Sequence, residues 1–392
     1  MRRLLDFAPH QLPVISLYLD GRVDEHGQHT FRPFVRKHLT ARAATYPVHS
    51  PERESFQADS VRILRYLEDE LSPSAQGIAI FASSNESYFF EVGQFDAPFE
   101  RNRLFISDRP HIYPLARLID QYRRYAVVLA DTNRARIFVF ACGRTIDRKQ
   151  VQNVKTKQAQ IGGWTQSRYQ RHLENYHLQH AKDVIEILDS TVREEEIENV
   201  ILAGDQETVI PILQEQMSKD LSEKVIDVLT LGIDTPEHEV LEESLKAFRQ
   251  HDTLTDMQKV EQLLDEYRAD GLAVAGVAET IAALSNGQVE EVLIAASADA
   301  LQYDESEVRK VLDVYRALIG PPASPTQRMI ADDLIRRASQ LSSARVTFIE
   351  EASLLEPVGG VGALLRYRIS PSSAAPYEQA GVISKSEALS KS

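Results

Sequence analysis

The stretch YAVVLADTNRARIFVFACG, from Tyr125 to Gly143, is the part of the sequence that decides the fold. Two runs rich in β-branched and aromatic residues flank Asp131-Thr132-Asn133, and these three residues are of the kind that tight turns favour. The pattern predicts two strands joined by a short turn. Helical and strand patterns alternate after this hairpin, so the stretch opens a layered α/β unit.

That middle unit is predicted to span residues 121–252. A polar segment follows the hairpin up to Gln160, and Ser167–Leu188 then carries apolar residues along one helix face. Asn199–Asp205 predicts a further strand, and Thr208–Leu221 predicts a further helix. The order of elements is that of a sheet with helices packed on it.

The residues before the hairpin predict an α+β unit over 1–120. Leu12–Asp20 has the alternation of a strand, and Glu54–Leu71 has apolar residues at helical spacing. Gly77–Ser84 and Ser87–Val92 predict a pair of strands. A short helix is expected to begin in HIYPLARLID.

The residues after the middle unit predict an α/β sandwich domain over 253–370, because helical and strand patterns alternate again. The predicted helices are Met257–Ala269, Gly276–Leu284 and 330–342, and the predicted strands are Glu290–Ala295, 344–351 and 362–370. The tail, 371–392, is rich in Ser and Ala with few apolar residues, which is typical of disorder.

The composition limits the possible functions. The chain has 44 Lys and Arg against 58 Asp and Glu, a formal charge of −14, which argues against indiscriminate binding to nucleic acid. The sequence contains no apolar run of the length that a membrane span or a signal peptide needs, so a cytoplasmic protein is expected. A single cysteine, Cys142, excludes an internal disulfide framework and a multi-cysteine zinc site. No phosphate-binding G-x-x-x-x-G-K-[ST] loop is present.

One local stretch departs from the acidic average. QIGGWTQSRYQRH contains two adjacent glycines, the single tryptophan, Trp164, and then a basic segment. It lies within Arg134–Lys182, which has ten Lys and Arg against two acids. Glycine permits close approach of the backbone to another surface, and tryptophan can stack on a base. The alternative is a mobile linker whose tryptophan packs back on its own domain, and the residues alone leave both interpretations open.

Arginine and histidine side chains in this region are of the kind that bind phosphates or metal ions. Arg168, Arg171 and His172 are spaced to share one helix face, which suits contacts to phosphates. His177 and His180 are spaced to share a metal ion, but no carboxylate completes a familiar ligand set, so an exposed helix face is expected instead. We predict no metal site and no cofactor.

Several of these stretches, in the same order, resemble a known family. They are LPVISLYLD (12–20), the hairpin (125–143), GGWTQSRYQRH (162–172), NVILAGD (199–205), GVAETIAAL (276–284) with VEEVLIA, and FIEEASLLEPVGGVGALLRYRI (348–369). The chain resembles the archaeal and eukaryotic class I peptide-chain release factors and their relative Pelota, in a bacterial branch that is also related to the hibernation factor Balon. The resemblance covers residues 12 to 370.

The resemblance implies a three-domain release-factor-like architecture of class α/β and α+β, in which each domain is a mixed sheet with packed helices. It implies that the protein occupies the ribosomal A site and contacts rRNA and peptidyl-tRNA. The C-terminal domain is expected to meet a translational GTPase, and neither a membrane nor DNA is expected as a partner. By the same resemblance, the middle-domain loop reaches the peptidyl-transferase centre and helps water to hydrolyse the peptidyl-tRNA ester.

The residues expected to do this are carried over position by position. Gly162, Gly163 and Gln166 are the predicted catalytic residues, and the predicted RNA contacts are Trp164, Arg168, Arg171, His172, Arg36 and Lys37. Two departures from the family matter. Trp164 stands where the family has glutamine, so Gln166 can act only if the loop is remodelled, and the stop-codon-reading motifs of the N-terminal domain are missing.

Three hypotheses follow. The first is a ribosome-associated peptidyl-tRNA hydrolase that acts in release or rescue, which Gln166 favours. The second is a non-catalytic factor that occupies the A site during hibernation, which Trp164 favours. The third is an RNA-binding protein that has no role on the ribosome.

Overall fold

A computed structural model gives the fold and describes residues 1–9, 11–25, 28–84, 89–141, 144–152, 166–316, 318 and 326–369. The side chains of residues 144 and 166–174 are not among those described. Contacts group the chain into two compact units. One unit contains Met1–Gln121 together with the chain from Asp256 onward, and the other is Tyr122–Thr255.

The first sheet belongs to the unit that contains Met1. Its strands are β1 (Val14–Asp20), β2 (Gly77–Ser83), β3 (Phe89–Phe95) and β4 (Arg103–Ser107), in the order β3-β2-β1-β4, and every neighbouring pair is antiparallel. The helices of this part are α1 (Arg2–Leu5), α2 (Phe31–Ala43), α3 (Pro51–Asp69) and α4 (Tyr113–Gln121). The predicted first strand, the strand pair and the α3 helix are confirmed.

The helices α2 and α3 cover one face of the first sheet. The buried apolar residues of the two helices recur at helical spacing and are Phe31, Val35, Leu39, Phe56, Ile63 and Leu67. They pack with alternate residues of β1, which are Ile15, Leu17 and Leu19. α3 begins at a proline after Ser50, whose hydroxyl accepts a hydrogen bond from the backbone N–H of Arg53 at 3.2 Å. Tyr18 and Phe105 lie on the other face of the sheet, which α2 and α3 do not cover.

The second sheet forms the unit Tyr122–Thr255. Its strands are β5 (Tyr125–Ala130), β6 (Arg134–Ala141), β7 (Arg144–Gln152), β8 (Asn199–Gly204) and β9 (Val225–Leu229), in the order β7-β6-β5-β8-β9. The pairs β5–β6 and β6–β7 are antiparallel, and β5–β8 and β8–β9 are parallel. The helices are α5 (Gln166–Glu194), α6 (Val209–Gln216), α7 (Lys219–Glu223) and α8 (Glu237–Arg268), and α8 contains the boundary between the units.

The hairpin predicted at Tyr125–Gly143 is confirmed in β5 and β6. The Asp131 carboxylate accepts hydrogen bonds from the backbone N–H groups of Asn133 and Arg134, at 2.7 and 2.6 Å, and so closes the turn. Two details of the prediction were wrong. Residues Arg144–Gln152 were predicted only as a polar segment, but they form a strand because their backbone pairs with β6. Their sequence has few of the apolar residues that would indicate a strand. The helix predicted at Thr208–Leu221 is broken into α6 and α7 at Met217 and Ser218.

The third sheet lies in the part of the chain after Asp256. Its strands are β10 (Ala273–Ala275), β11 (Val289–Ala295), β12 (Arg345–Ile349) and β13 (Val361–Leu365), in the order β10-β13-β11-β12. β11 and β12 are parallel, and the other pairs are antiparallel. The helices are α9 (Val277–Ser285), α10 (Glu305–Val314) and α11 (Gln327–Arg337).

The glycine pair before β13 makes a tight turn. Gly359 and Gly360 have φ of 70° and 83°, and a side chain at Gly360 would lie 2.6 Å from the carbonyl oxygen of Ala300. The turn leads directly into β13, which lies where the sequence predicted the last strand.

A buried carboxylate joins the chain segments that carry the first and third sheets. Asp332 of α11 lies 2.6 Å from Nδ1 of His111 and accepts hydrogen bonds from the backbone N–H groups of Ile112 and Tyr113, at 2.9 and 2.8 Å. Those two N–H groups are at the start of α4, so Asp332 satisfies donors that the helix itself leaves unpaired. All four residues are buried.

Two arginines of α11 complete this junction. Arg336 is buried and donates hydrogen bonds to the carbonyl oxygens of Leu4, Leu5 and Pro110, at 2.9, 2.7 and 2.8 Å. Arg337 forms a buried ion pair with Asp333 at 2.6 Å. Burial raises the pKa of Asp333, and the neighbouring guanidinium of Arg337 opposes that change.

The predicted fold class, α/β and α+β with helices packed on sheets, is confirmed. The first sheet is antiparallel throughout and the other two are mixed. The division into three domains stays a prediction. Within the described part of the chain, every helix is too short or too polar to cross a bilayer.

Candidate functional site

The predicted catalytic stretch ends where a long helix begins. Gln166 is the first residue of α5, and Arg168, Arg171 and His172 belong to its first two turns. The structure describes the backbone of these four positions. Gly162, Gly163 and Trp164 lie outside the described residues.

The second half of α5 fixes the helix to its unit. Its buried residues pack against strands of the second sheet and against α6; they are Ala181, Val184, Ile185, Leu188 and Val192. The helix has 29 residues, so it is roughly 43 Å long at about 1.5 Å per residue. The start of α5 is therefore held by a rigid element whose far half is anchored in the core.

The basic stretch Arg134–Lys182 is partly neutralised within its own unit. Arg134 pairs with Asp234 at 2.9 Å, Arg148 pairs with Glu237, and Lys149 lies 3.4 Å from Glu194. Arg136 donates hydrogen bonds to the carbonyl oxygens of Ile233 and Thr235, at 3.0 and 2.7 Å. These cations hold strands β6 and β7 to neighbouring segments, so part of the positive charge of the stretch is already neutralised.

The other predicted RNA contacts lie on α2. Arg36 and Lys37 are exposed, and Arg36 pairs with Glu68 of α3 at 3.0 Å. An exposed pair of this kind contributes little to stability, so Arg36 remains accessible to a stronger anionic partner.

The prediction of an exposed histidine face on α5 was wrong for His180. This side chain is buried, 3% exposed, beside Ala130, Asp131 and Thr132 at the end of the hairpin, and His177 is half-buried. The reason is that α5 packs across the turn, a contact that helical spacing alone does not reveal. The described residues contain no group of three or more potential metal ligands.

The burial of His180 gives a testable pH dependence. Burial lowers the pKa of His180, so the folded unit favours the neutral ring. The unfolded chain then takes up a proton first as the pH falls below about 6.5, and stability is lost over the interval down to the folded pKa. We expect His180→Leu to flatten this acid-side decline in melting temperature, whereas the half-buried control His177→Leu leaves the decline in place.

Two family comparisons bear on this arrangement of strands and helices. The family described as bacterial archaeo-eukaryotic release factor family 10 matches residues 110–249, and the domain described as eRF1 domain 3 matches residues 253–369. The chain belongs to the bacterial branch of the archaeo-eukaryotic release factors. None of the curated protein sequences matches it significantly.

Solved structures of archaeo-eukaryotic release factors and their relatives resemble this bacterial member. The archaeal translation termination factor aRF1 is 16% identical, with 93% of this chain and 96% of that chain covered and a TM-score of 0.25. Ribosome-bound archaeal Pelota is 12% identical, with 93% and 92% covered and a TM-score of 0.41. Dom34 of S. cerevisiae is 11% identical, with 75% and 79% covered and a TM-score of 0.40.

One basic feature of this release-factor-family chain was not predicted from its sequence. Arg101 lies just before the edge strand β4 and Arg103 is its first residue, and both line the same groove as Arg328 of α11. A local signal was present, since RNR at 101–103 is a cationic triplet in an acidic chain. Its neighbour Arg328 is more than two hundred residues away, so the cluster becomes visible only in the fold.

Proposed function

We propose that this protein is a ribosomal A-site factor of release-factor type that hydrolyses the peptidyl-tRNA ester in release or rescue. The observation that carries the proposal is the placement of Gln166. It begins the anchored helix α5 directly after the Gly-Gly stretch, in a chain that belongs to the release-factor family. The second half of α5 is anchored in the core of its unit, so the position of Gln166 is tied to that core.

The start of α5 is suited to the phosphates of RNA. The N-terminus of a helix carries a partial positive charge and unpaired backbone N–H groups. Arg168, Arg171 and His172 add cationic or hydrogen-bonding side chains at i, i+3 and i+4 within the first two turns. We expect these residues to hold the backbone of the tRNA acceptor end or of nearby rRNA, and Trp164 to stack on a base.

In the proposed reaction, a water oxygen attacks the carbonyl carbon of the ester that joins the peptide to the tRNA ribose. The bond from that carbon to the ribose oxygen then breaks, the peptide leaves as a carboxylic acid, and the ribose oxygen takes a proton. The Gln166 amide both donates and accepts hydrogen bonds, so it can orient the water. A backbone N–H group of Gly162 or Gly163 is proposed to stabilise the developing oxyanion.

The partners follow from this placement. The middle unit contacts peptidyl-tRNA and rRNA, and Arg36 and Lys37 on α2 make further contacts to rRNA. Residues 253–369, which match the third domain of the release factors, are proposed to contact a translational GTPase. The reaction requires no cofactor or metal ion from this chain, and the protein acts in the cytoplasm without a membrane or DNA partner.

A second candidate function is occupation of the A site without hydrolysis. It is favoured by Trp164, which stands at the position of the family's glutamine when the glycines are aligned without a gap. In that case the indole ring fills or stacks on the peptidyl-transferase centre and the chain protects an idle ribosome.

The experiment that separates these functions follows peptide release and binding together. Ribosomes carrying labelled peptidyl-tRNA in the P site are mixed with the protein under single-turnover conditions. Release above the background rate supports the hydrolase. Binding to the A site without release supports the hibernation factor. An absence of ribosome binding would leave only an RNA-binding protein without a ribosomal role.

The proposed phosphate contacts predict a change in salt dependence. Each phosphate contact that is lost lowers the slope of log K against log salt by about one, so Arg168→Ala with Arg171→Ala is expected to lower the slope of ribosome binding by about two. The matched control is Lys219→Ala with Lys246→Ala, two exposed cations elsewhere in the same unit. Equal slopes for the two double variants would remove the phosphate role from α5.

A further inference from the structure

A second basic site lies in the unit that carries the first and third sheets, apart from the middle unit. A groove of about 800 Å³ runs along the edge strand β4 and is lined by the end of α2 and by α11. A deeper cavity of about 150 Å³ adjoins the groove and shares Arg101, Arg103, Asp299 and Arg328 with it. The two volumes together have the size of an ordinary ligand site.

The charges along this groove are unbalanced. Among the described residues, no carboxylate lies within ion-pair distance of Arg101 or Arg103, and the only contact of Arg328 with an acid is Asp299 at 3.7 Å. Glu100, which lines the cavity, is already paired with Arg117 at 2.9 Å. The site therefore holds more cations than the acids around it can neutralise.

The repulsion among the arginines and the geometry of their guanidinium groups both indicate that an anion would be stabilised here. Burial lowers the pKa of Arg103, and the nearby guanidinium groups of Arg101 and Arg328 lower it further. The carboxylates of Glu100 and Asp299 oppose this change in pKa. Arginine nevertheless stays charged at neutral pH, so a bound anion would reduce the repulsion within the cluster. Guanidinium groups also match the oxygens of a phosphate in a paired geometry.

Flat rings line the same groove. The rings of Phe34 and His38 lie with centroids 4.2 Å apart on α2, and both border the groove. Phe105 of β4 lies beneath Arg328, whose guanidinium is 5.4 Å from the ring centroid. Aromatic side chains beside arginines are the surfaces on which bases stack.

We propose that this groove binds a phosphate-bearing nucleotide, with phosphate oxygens on Arg101, Arg103 and Arg328 and the base against Phe34 and His38. The nucleotide is either free in solution or part of a single-stranded RNA, since both present the same groups. The stacking surfaces favour a nucleotide over an acidic peptide, which would need only the cations and the free edge of β4. The site includes no residue of the Gly-Gly stretch or of α5, so it does not depend on the hydrolytic function.

The test uses the full chain and two fluorescent probes, a 5′-fluorescein-labelled hexauridylate and mant-GTP, with binding followed by anisotropy. Arg101→Ala with Arg103→Ala is expected to weaken binding of the responsive probe by at least about tenfold, because charge-assisted hydrogen bonds are lost. Arg65→Ala with Arg309→Ala is the matched control, two exposed arginines of the same unit, and should bind as wild type does. Arg101→Lys with Arg103→Lys keeps the charge and is expected to lose several-fold through the changed geometry.

The results of this test separate a free nucleotide from an RNA strand. Binding of mant-GTP identifies a free nucleotide as the source, and binding of the hexauridylate alone identifies an RNA strand. The proposal is overturned if neither probe binds, if the Arg101 and Arg103 variants bind as wild type does, or if a labelled hexaglutamate peptide binds while both nucleotide probes do not. Gln166→Ala should leave this binding unchanged, so failure here and failure of the hydrolase proposal can be told apart.

Discussion

Asp332→Ala is expected to lower the free energy of unfolding of the unit that carries the first and third sheets by about 3–5 kcal/mol. The Asp332 carboxylate accepts hydrogen bonds from the backbone N–H groups of Ile112 and Tyr113 and contacts Nδ1 of His111, all in a buried setting. Alanine leaves these donors without an acceptor, at a cost of roughly 1–3 kcal/mol for each unsatisfied group. It also removes a negative charge from the N-terminus of α4.

The measurement is chemical denaturation followed by circular dichroism, together with hydrogen exchange at the Ile112 and Tyr113 amides. Because the chain has two units, the transition of this unit is fitted separately. Asp332→Asn keeps one oxygen acceptor and should lose less than alanine does. The control Asp265→Ala removes an exposed carboxylate of α8 and should change stability by less than about 0.5 kcal/mol. A loss for Asp332→Ala as small as that of the control would show that the junction does not hold the unit together.

Gln166→Ala is expected to give the largest change in activity. If Gln166 orients the attacking water, its loss should slow single-turnover peptide release by about 10²–10³-fold, the range found when one preorganised donor is removed from an active site. Ribosome affinity should stay within about twofold, because the interaction acts on the transition state and not on binding. Release and ribosome binding are measured on the same preparation.

The matched control for this variant is Gln179→Ala, which truncates another glutamine of α5 whose amide bonds to Asp183 at 2.8 Å. Trp164→Gln provides a second comparison, because it restores the family's glutamine directly after Gly163. If wild type does not release peptide and Trp164→Gln does, the tryptophan has replaced a catalytic residue and the A-site occupant is the correct function. If Gln166→Ala releases peptide at the wild-type rate, Gln166 has no role in the reaction.

Much of the fold could be predicted because its strands are marked by local patterns. The hairpin of β5 and β6 has apolar runs on both sides of Asp131-Thr132-Asn133, and β1 and β8 are apolar stretches of ordinary strand length. The helix α9 follows Gly276, whose φ of 81° explains why a glycine stands at that start.

The elements that were missed depend on partners elsewhere in the chain. β7 is an edge strand whose sequence, RTIDRKQVQ, is polar, so only its pairing with β6 reveals it. α2 buries only Phe31, Val35 and Leu39, and its remaining residues include a proline and several cations. The carboxylate of Asp332 caps a helix more than two hundred residues away, which no local pattern can indicate.

Some features of the candidate site could likewise be predicted from the sequence, and others could not. The Gly-Gly stretch and the basic residues after it could be found from sequence because the family resemblance and the helical spacing coincide at Gln166 to His172. The pairing of Arg134 and Arg148 with Asp234 and Glu237 could not be found, because those acids are distant in sequence. His180 is buried because α5 crosses the hairpin, so its burial could not be predicted from its position on the helix.

The most direct test of the central claim is a structure of the protein bound to a ribosome that carries peptidyl-tRNA in the P site. We predict that the chain lies in the A site, with the start of α5 directed toward the tRNA acceptor end and the Gln166 amide within hydrogen-bond reach of a water at the ester carbonyl. The claim is contradicted if Gly162, Gly163 and Trp164 pack against their own domain, with Gln166 far from the ester.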